Sequence, residues 1–241
     1  MQRRRYLLLQ IRNQDDPMRG QEVGCFLRAL QCRHDRLRVI DLLSETHGHH
    51  VLDSADAVFI GGSGDYSITG QGAWLDRSLE LLREVCERSK PTFASCWGFQ
   101  AMSRALGGRV VRDPTNAEIG TRDLELTAEG HEDPVFGPLG PSFMAQMGHE
   151  DRVDVLPPQA TLLASSSLVK NQAFRIEGKP IYGTQFHPEL DKADLLQRVR
   201  AYPTYVQYAT GMTIEQFAET CHDTPRTAAL IQRFIHYVFG S

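Results

Sequence analysis

Cys96 stands in the run Ala94-Ser95-Cys96-Trp97-Gly98-Phe99-Gln100, between an apolar segment that opens at Pro91 and an apolar helical stretch that follows. A thiol on such a strand-to-helix turn is pushed outward. The helix N-terminus beneath it carries roughly half a positive charge, which favours thiolate over thiol. A second cluster, Phe186-His187-Pro188-Glu189, supplies an imidazole with a carboxylate two residues on. A thiolate can attack an acyl carbon, an imidazole can move protons, and a carboxylate can hold the imidazole in one tautomer. Cys96, His187 and Glu189 are therefore candidates for nucleophilic catalysis. The cysteine and histidine are 91 residues apart, so the fold has to bring them together.

The turn Gly61-Gly62-Ser63-Gly64-Asp65-Tyr66 offers a third ingredient. It lacks the Lys-Ser/Thr of a phosphate-binding loop. The backbone amide of Gly62, paired with that of Trp97, is a candidate oxyanion hole, in which one donor is typically worth around 3 kcal/mol. The cluster His47-Gly48-His49-His50 has no partners at ligand spacing, so no metal site and no other cofactor is expected. Cys25, Cys32, Cys86 and Cys221 read as small apolar core side chains.

These groups need a scaffold that ends several strands at one place. Tyr6–Ile11, Arg38–Leu42, Ala57–Ile60 and Pro91–Ser95 read as strands. Leu75, Leu79, Leu82 and Val85 recur at helical spacing, and Phe99–Leu106 reads as a helix closed by Gly107-Gly108. Strands alternating with helices predict an α/β fold: an open, doubly wound, mostly parallel sheet flanked by helices. Sites in such sheets lie at the carboxyl ends of strands, where Gly61-Gly62 and Cys96 both fall. From about Val110 to Phe186 the pattern changes. Asp123–Thr127, Phe143–Met147, Leu162–Ser165 and Ile181–Phe186 predict a smaller mixed or antiparallel extension. After Glu189 the chain turns helical; Thr224-Pro225 is a good helix start, and Ile231, Phe234, Ile235 and Val238 form one apolar face.

The chain has 241 residues, 41% of them hydrophobic, enough to bury a sizeable core without disulfides or metal. A net charge of −4, with no basic stripe interleaved with aromatics, argues against nucleic acid as a partner. Tyr6–Leu9 is too short for a signal-peptide core, and no later segment is long and apolar enough to span a membrane. Five cysteines with no CxxC pair indicate neither a disulfide framework nor a zinc knuckle, and fit a reducing cytoplasm.

The combination resembles the class I (triad) glutamine amidotransferases, especially the amidotransferase domain of GMP synthase. That family's cysteine elbow is matched by Ala94–Gln100, its His-Pro-Glu segment by His187-Pro188-Glu189 and its glycine-rich oxyanion turn by Gly61-Gly62-Ser63-Gly64. The segment before its last strands looks like Gly148-His149-Glu150-Asp151. The resemblance covers roughly residues 6–190 and implies an amidotransferase-like domain over 1–190; the tail outside it, 191–241, reads as a helical extension packed on the same domain. It implies that Cys96 attacks the side-chain amide of glutamine and that His187 protonates the departing ammonia, then activates water against a γ-glutamyl thioester. Glu189 orients His187, while Gly64, Gln100 and the Gly148–His149 backbone help to seat the substrate. The expected function is a glutaminase delivering ammonia to a separate acceptor enzyme. The alternatives are a stand-alone γ-glutamyl hydrolase or peptidase, and a non-catalytic regulatory module on the same scaffold. The tail is expected to pack on its own domain, with a homodimer or partner surface as the alternative use of its apolar faces.

Overall fold

The computed structural model describes residues 4–44, 49–202, 206–207 and 210–240. The elements run β1 (Tyr6–Ile11), α1 (Met18–Leu30), β2 (Leu37–Asp41), β3 (Ala57–Ser63), α2 (Ala73–Glu87), β4 (Thr92–Ser95), α3 (Trp97–Ala105), β5 (Arg109–Arg112) and β6 (Glu118–Leu126). They continue with α4 (Ala128–Glu132), β7 (Ser142–His149), β8 (Asp151–Val155), β9 (Ala160–Ser165), β10 (Ala173–Ile176) and β11 (Ile181–Thr184). The last part holds α5 (Lys192–Ala201), α6 (Ile214–Thr220), α7 (Pro225–Ala228) and α8 (Leu230–Phe239).

Among the described residues, nine strands form one sheet in the order β2-β1-β3-β4-β11-β10-β9-β6-β7. The pairings from β2 through β11 are parallel, and those from β11 through β7 are antiparallel. The antiparallel extension thus continues the main sheet. The second sheet is the small antiparallel pair β5-β8. Strands β5, β8 and β10 are short, and the first two are half-exposed, so they carry little of the alternation that marks a strand in sequence.

Both faces of the parallel half are covered. Strand β1 shows why: Leu7, Leu9 and Ile11 point into one core with Leu75, Leu79, Leu82 and Val85 of α2 and Phe99 and Met102 of α3. Tyr6 and Leu8 point into the other with Phe26, Leu27 and Leu30 of α1 and Leu230, Ile231, Phe234 and Ile235 of α8. A period of two with no polar face is what a buried parallel strand requires. The C-terminal helix is part of this second core: the Phe234 ring meets Phe59, Phe93 and Tyr182 at centroid distances of 6.3, 5.5 and 5.8 Å.

Helix α5 opens with a capping box between Asp191 and Asp194 and docks on α1. Arg28 pairs with the Asp194 carboxylate, Gln21 Nε2 donates to the Asp194 carbonyl at 2.9 Å, and Arg198 Nε donates to Gln21 Oε1 at 2.9 Å. No helix among the described residues is long and apolar enough to cross a membrane.

Candidate active site

Register explains how distant residues meet. Ile60 of β3 stands beside Ala94 of β4, and Ser95 of β4 stands beside Thr184 of β11. The Gly61-Gly62 turn, Cys96 and the segment leading to His187 therefore leave three neighbouring strands at their carboxyl ends.

Cys96 forms the elbow between β4 and α3 with φ 52° and ψ −107°, a left-handed-side conformation that a non-glycine residue rarely takes. Its own backbone holds it there: the Cys96 N–H donates to the Thr184 carbonyl at 2.8 Å, and its carbonyl accepts from Gln100 N–H at 3.1 Å. Gly98 allows α3 to lie directly on β3, since a methyl group there would come within 2.7 Å of the Ile60 side chain. The Cys96 thiol faces the Gly148 carbonyl at 3.7 Å, and Gln185 Nε2 lies 3.9 Å from the sulfur.

The imidazole converges on the same spot. A methyl group on Gly62 would stand 2.9 Å from His187 Cε1 and 3.8 Å from both His187 Nε2 and Cys96 Cβ. On its other side, His187 Nδ1 meets Glu189 Oε1 at 2.6 Å. Burial alone would drive the proton off His187, but the Glu189 carboxylate and Cys96 outweigh it and raise its pKa to about 9. Burial likewise pushes Glu189 up, and His187 and Arg198 more than reverse that, leaving its carboxyl below its ordinary value. The dyad is thus an imidazolium-carboxylate pair at neutral pH. Cys25 is a contrast: burial pushes its thiol up to about 12.

A cavity of about 490 Å³ opens here, and its wall includes Cys96, Trp97, Gln100, Gly64, Gly148, His149 and His187. Every expected site residue except Glu189 lies on that wall, Gly62 included; Glu189 lies behind His187. Side-chain donors are another matter. Gln100 Nε2 is committed inward, to the Asp151 carbonyl at 2.7 Å and Gln185 Oε1 at 3.1 Å. The His149 ring is held between the Asp151 carbonyl at 3.1 Å and Glu118 Oε2 at 3.2 Å. Burial tends to raise the Glu118 carboxyl, and His149 brings it below its usual value instead.

One expectation needs correction. The Gly62 N–H donates to Glu22 Oε1 at 3.2 Å, so in this state it is not an oxyanion donor. Glu22 is fully buried on α1 and is absent from the cavity wall. Trp97 N–H belongs to the first turn of α3, where it has no intrahelical partner. His47 and Gly48 of the histidine cluster lie outside the described residues. Among the described residues no group of three or more His, Cys, Asp or Glu is placed to hold a metal ion.

The sequence reading missed residues that the fold adds from α1 and α5. Leu195, Arg198, Val199 and Tyr202 line the cavity, so the wall extends beyond residue 190. The Arg198 guanidinium lies 3.5 Å from His187 Nδ1 and 3.9 Å from Glu189 Oε1. Arg12 pairs with Asp16 at 2.8 Å and Glu22 at 3.3 Å. A signal existed: Glu22 shares the buried stripe of α1 with Met18, Cys25 and Phe26, an unusual position for a carboxylate.

Comparison with known proteins places this chain in a family. The profile of "Glutamine amidotransferase class-I" matches residues 23–195, and the chain belongs to that family. It is 34% identical over 125 residues to a subunit of the glutamine-hydrolyzing GMP synthase of Methanothermobacter thermautotrophicus, covering 51% of this chain and 64% of that one. It is 30% identical over 199 residues to gamma-glutamyl peptidase 3 of Arabidopsis thaliana, covering 80% of this chain and 76% of that one. The first match thus spans just under two thirds of the Methanothermobacter protein. The crystal structure of a glutamine amidotransferase from Thermotoga maritima has the same fold, with a TM-score of 0.80, 20% identity and full coverage of both chains.

Proposed function

We propose that this protein, a glutamine-hydrolysing amidotransferase by family, cleaves the γ-amide bond through a thioester on Cys96. The observation that carries the reading is the convergence of Cys96 and the His187–Glu189 pair on Gly62 at one cavity. The Cys96 sulfur attacks the γ-carbonyl carbon. As the C–N bond breaks, the proton held on His187 goes to the departing nitrogen. Water then attacks the thioester carbonyl and gives a proton to His187; the C–S bond breaks, releasing glutamate and the free cysteine. Glu189 keeps Nδ1 protonated and Nε2 facing the sulfur. Gly64, Gln100, Gly148 and His149 are proposed as the substrate-seating part of the wall, and the extension 191–241 as part of the same domain. The ammonia would pass to a separate acceptor enzyme, a reading supported by likeness to one subunit of a GMP synthase. A reducing compartment such as the cytoplasm suits the reactive thiol, and all five cysteines are free.

A second reading, a γ-glutamyl peptidase, rests on the likeness to gamma-glutamyl peptidase 3 over most of both chains. The cavity size agrees with it: about 490 Å³ falls within the roughly 300–1,000 Å³ of sites that take drug-sized ligands, leaving room for an extended leaving group.

The test is the mass of the intact protein after incubation with glutamine and an acid quench. A γ-glutamyl adduct on Cys96, absent in Cys96→Ser, is expected; glutamate release without any such adduct would sink the thioester route. Comparing kcat/KM for glutamine and a panel of γ-glutamyl peptides then separates the two substrates.

A further inference from the structure

Arg198 reaches the triad from α5 and is aimed there by its neighbours. Its Nε donates to Gln21 Oε1 at 2.9 Å, and Gln21 Nε2 donates to the Asp194 carbonyl of the same helix at 2.9 Å. That clamp turns the guanidinium inward, between two buried carboxylates. Nη1 stands 3.9 Å from Glu189 Oε1, and Nη2 stands 3.9 Å from Glu22 Oε1. Nη1 also lies 3.5 Å from His187 Nδ1, whose hydrogen is already given to Glu189 Oε1 at 2.6 Å. Two N–H donors cannot bond each other, so the guanidinium meets the imidazolium only as a like charge. The distances keep the roles apart: Glu189 is hydrogen-bonded to His187 and neighboured by the charge of Arg198.

The other charges around the pair are met elsewhere. Glu22 of α1 has Arg12 at 3.3 Å, and Arg12 is shared with Asp16 at 2.8 Å. Asp194 is paired with Arg28. Cys25 of α1 stays neutral, because burial pushes its thiol up to about 12. Cys96 faces the imidazole from the elbow. Among the described residues, Arg198 is thus the one cation besides His187 that pairs with Glu189.

We propose that Arg198 is a positioning residue acting through the His187–Glu189 pair: a fixed counter-ion that keeps Glu189 matched while the imidazole gives up and regains its proton. The proposal rests on the reaction proposed above and deepens it. When His187 passes its proton to the departing nitrogen, the pair loses its positive member. A buried carboxylate left without a counter-charge is costly, and that cost would hold the proton on His187. A guanidinium does not lose its proton in a protein, so Arg198 supplies the missing charge at every stage of the cycle. Its repulsion of the imidazolium also eases the departure of the proton.

The test is an NMR titration of the His187 ring in the full chain, set beside the pH profile of glutamine hydrolysis. Both are measured for the parent, Arg198→Met and Arg198→Lys. Removing the positive charge beside the imidazole is expected to raise the midpoint of the His187 titration by about one pH unit. The alkaline limb of kcat/KM moves up with it, opposite to the shift expected on neutralising Glu189. Below that limb kcat falls several-fold with KM little changed, because the proton is released less readily. Arg198→Lys, which keeps the charge, brings the midpoint back towards that of the parent. A folded Arg198→Met with an unmoved midpoint overturns the proposal. So does a rise in KM alone, which would make Arg198 a substrate contact. Arg198→Gln takes the place of Arg198→Met if the latter does not fold. A parent that hydrolyses no glutamine sinks the proposed reaction, while the midpoints still decide whether Arg198 is the counter-ion.

Discussion

Gly62 and His187 touch so closely that no side chain fits between them: a methyl group at position 62 would stand 2.9 Å from the imidazole Cε1. Real Cβ atoms do not approach that near, so any larger residue displaces the ring from Cys96. Gly62→Ala is expected to lower kcat for glutamine hydrolysis by roughly a hundredfold or more, as misplacing a reacting group by about 1 Å does. Steady-state kinetics with circular dichroism as the folding control checks this. A variant within threefold of the parent would mean that the contact does not position the base.

The proton on His187 sets a pH window. Its folded pKa of about 9 lies above the ordinary value of 6.5. The stabilisation contributed by the His187 proton is therefore complete below the ordinary 6.5 while Glu189 stays ionised, and is lost as pH rises through about 9. The same ionisation removes the proton needed by the departing nitrogen, so kcat/KM is expected to fall on the alkaline side near pH 9. In Glu189→Gln the largest influence raising that pKa is gone, and the alkaline limb is expected to move to lower pH. A pH profile whose alkaline limb is unmoved by the substitution would contradict the pairing.

Phe234 ties the C-terminal helix to the sheet through three ring contacts, with Phe59, Phe93 and Tyr182. Phe234→Ala is expected to cost about 3–5 kcal/mol, measured by urea unfolding. Removing residues 212–241 would uncover the same rings and is expected to yield aggregating protein. A soluble, well-folded truncated chain would show instead that this face serves a partner.

Much of this was legible in the residues, for physical reasons that differ from part to part. Tyr6–Ile11 and Ala57–Ile60 announce themselves because strands buried on both faces leave long apolar runs. Cys96, His187 and Glu189 stand in short strings with glycine or proline, where backbone geometry restricts the choice of residue. Glu22 was marked by its place on the apolar stripe of α1, but Arg198 was not legible as a site residue, because helical spacing alone does not say against what a charged side chain is turned. The direction of the Gly62 N–H was hidden for a deeper reason. A peptide between two glycines has no side chain to record which way it faces, and only the carboxylate on α1, 40 residues earlier, reveals it.

The backbone at Cys96 has one more consequence. With φ at 52° it occupies territory where a side chain is a burden, at a cost on the order of 1–3 kcal/mol. Glycine would sit there at ease, so Cys96→Gly should melt higher than the parent even though it has lost the sulfur. The molecule, in other words, is not at its most durable; it keeps a permanently uncomfortable joint at the thiol proposed as its nucleophile.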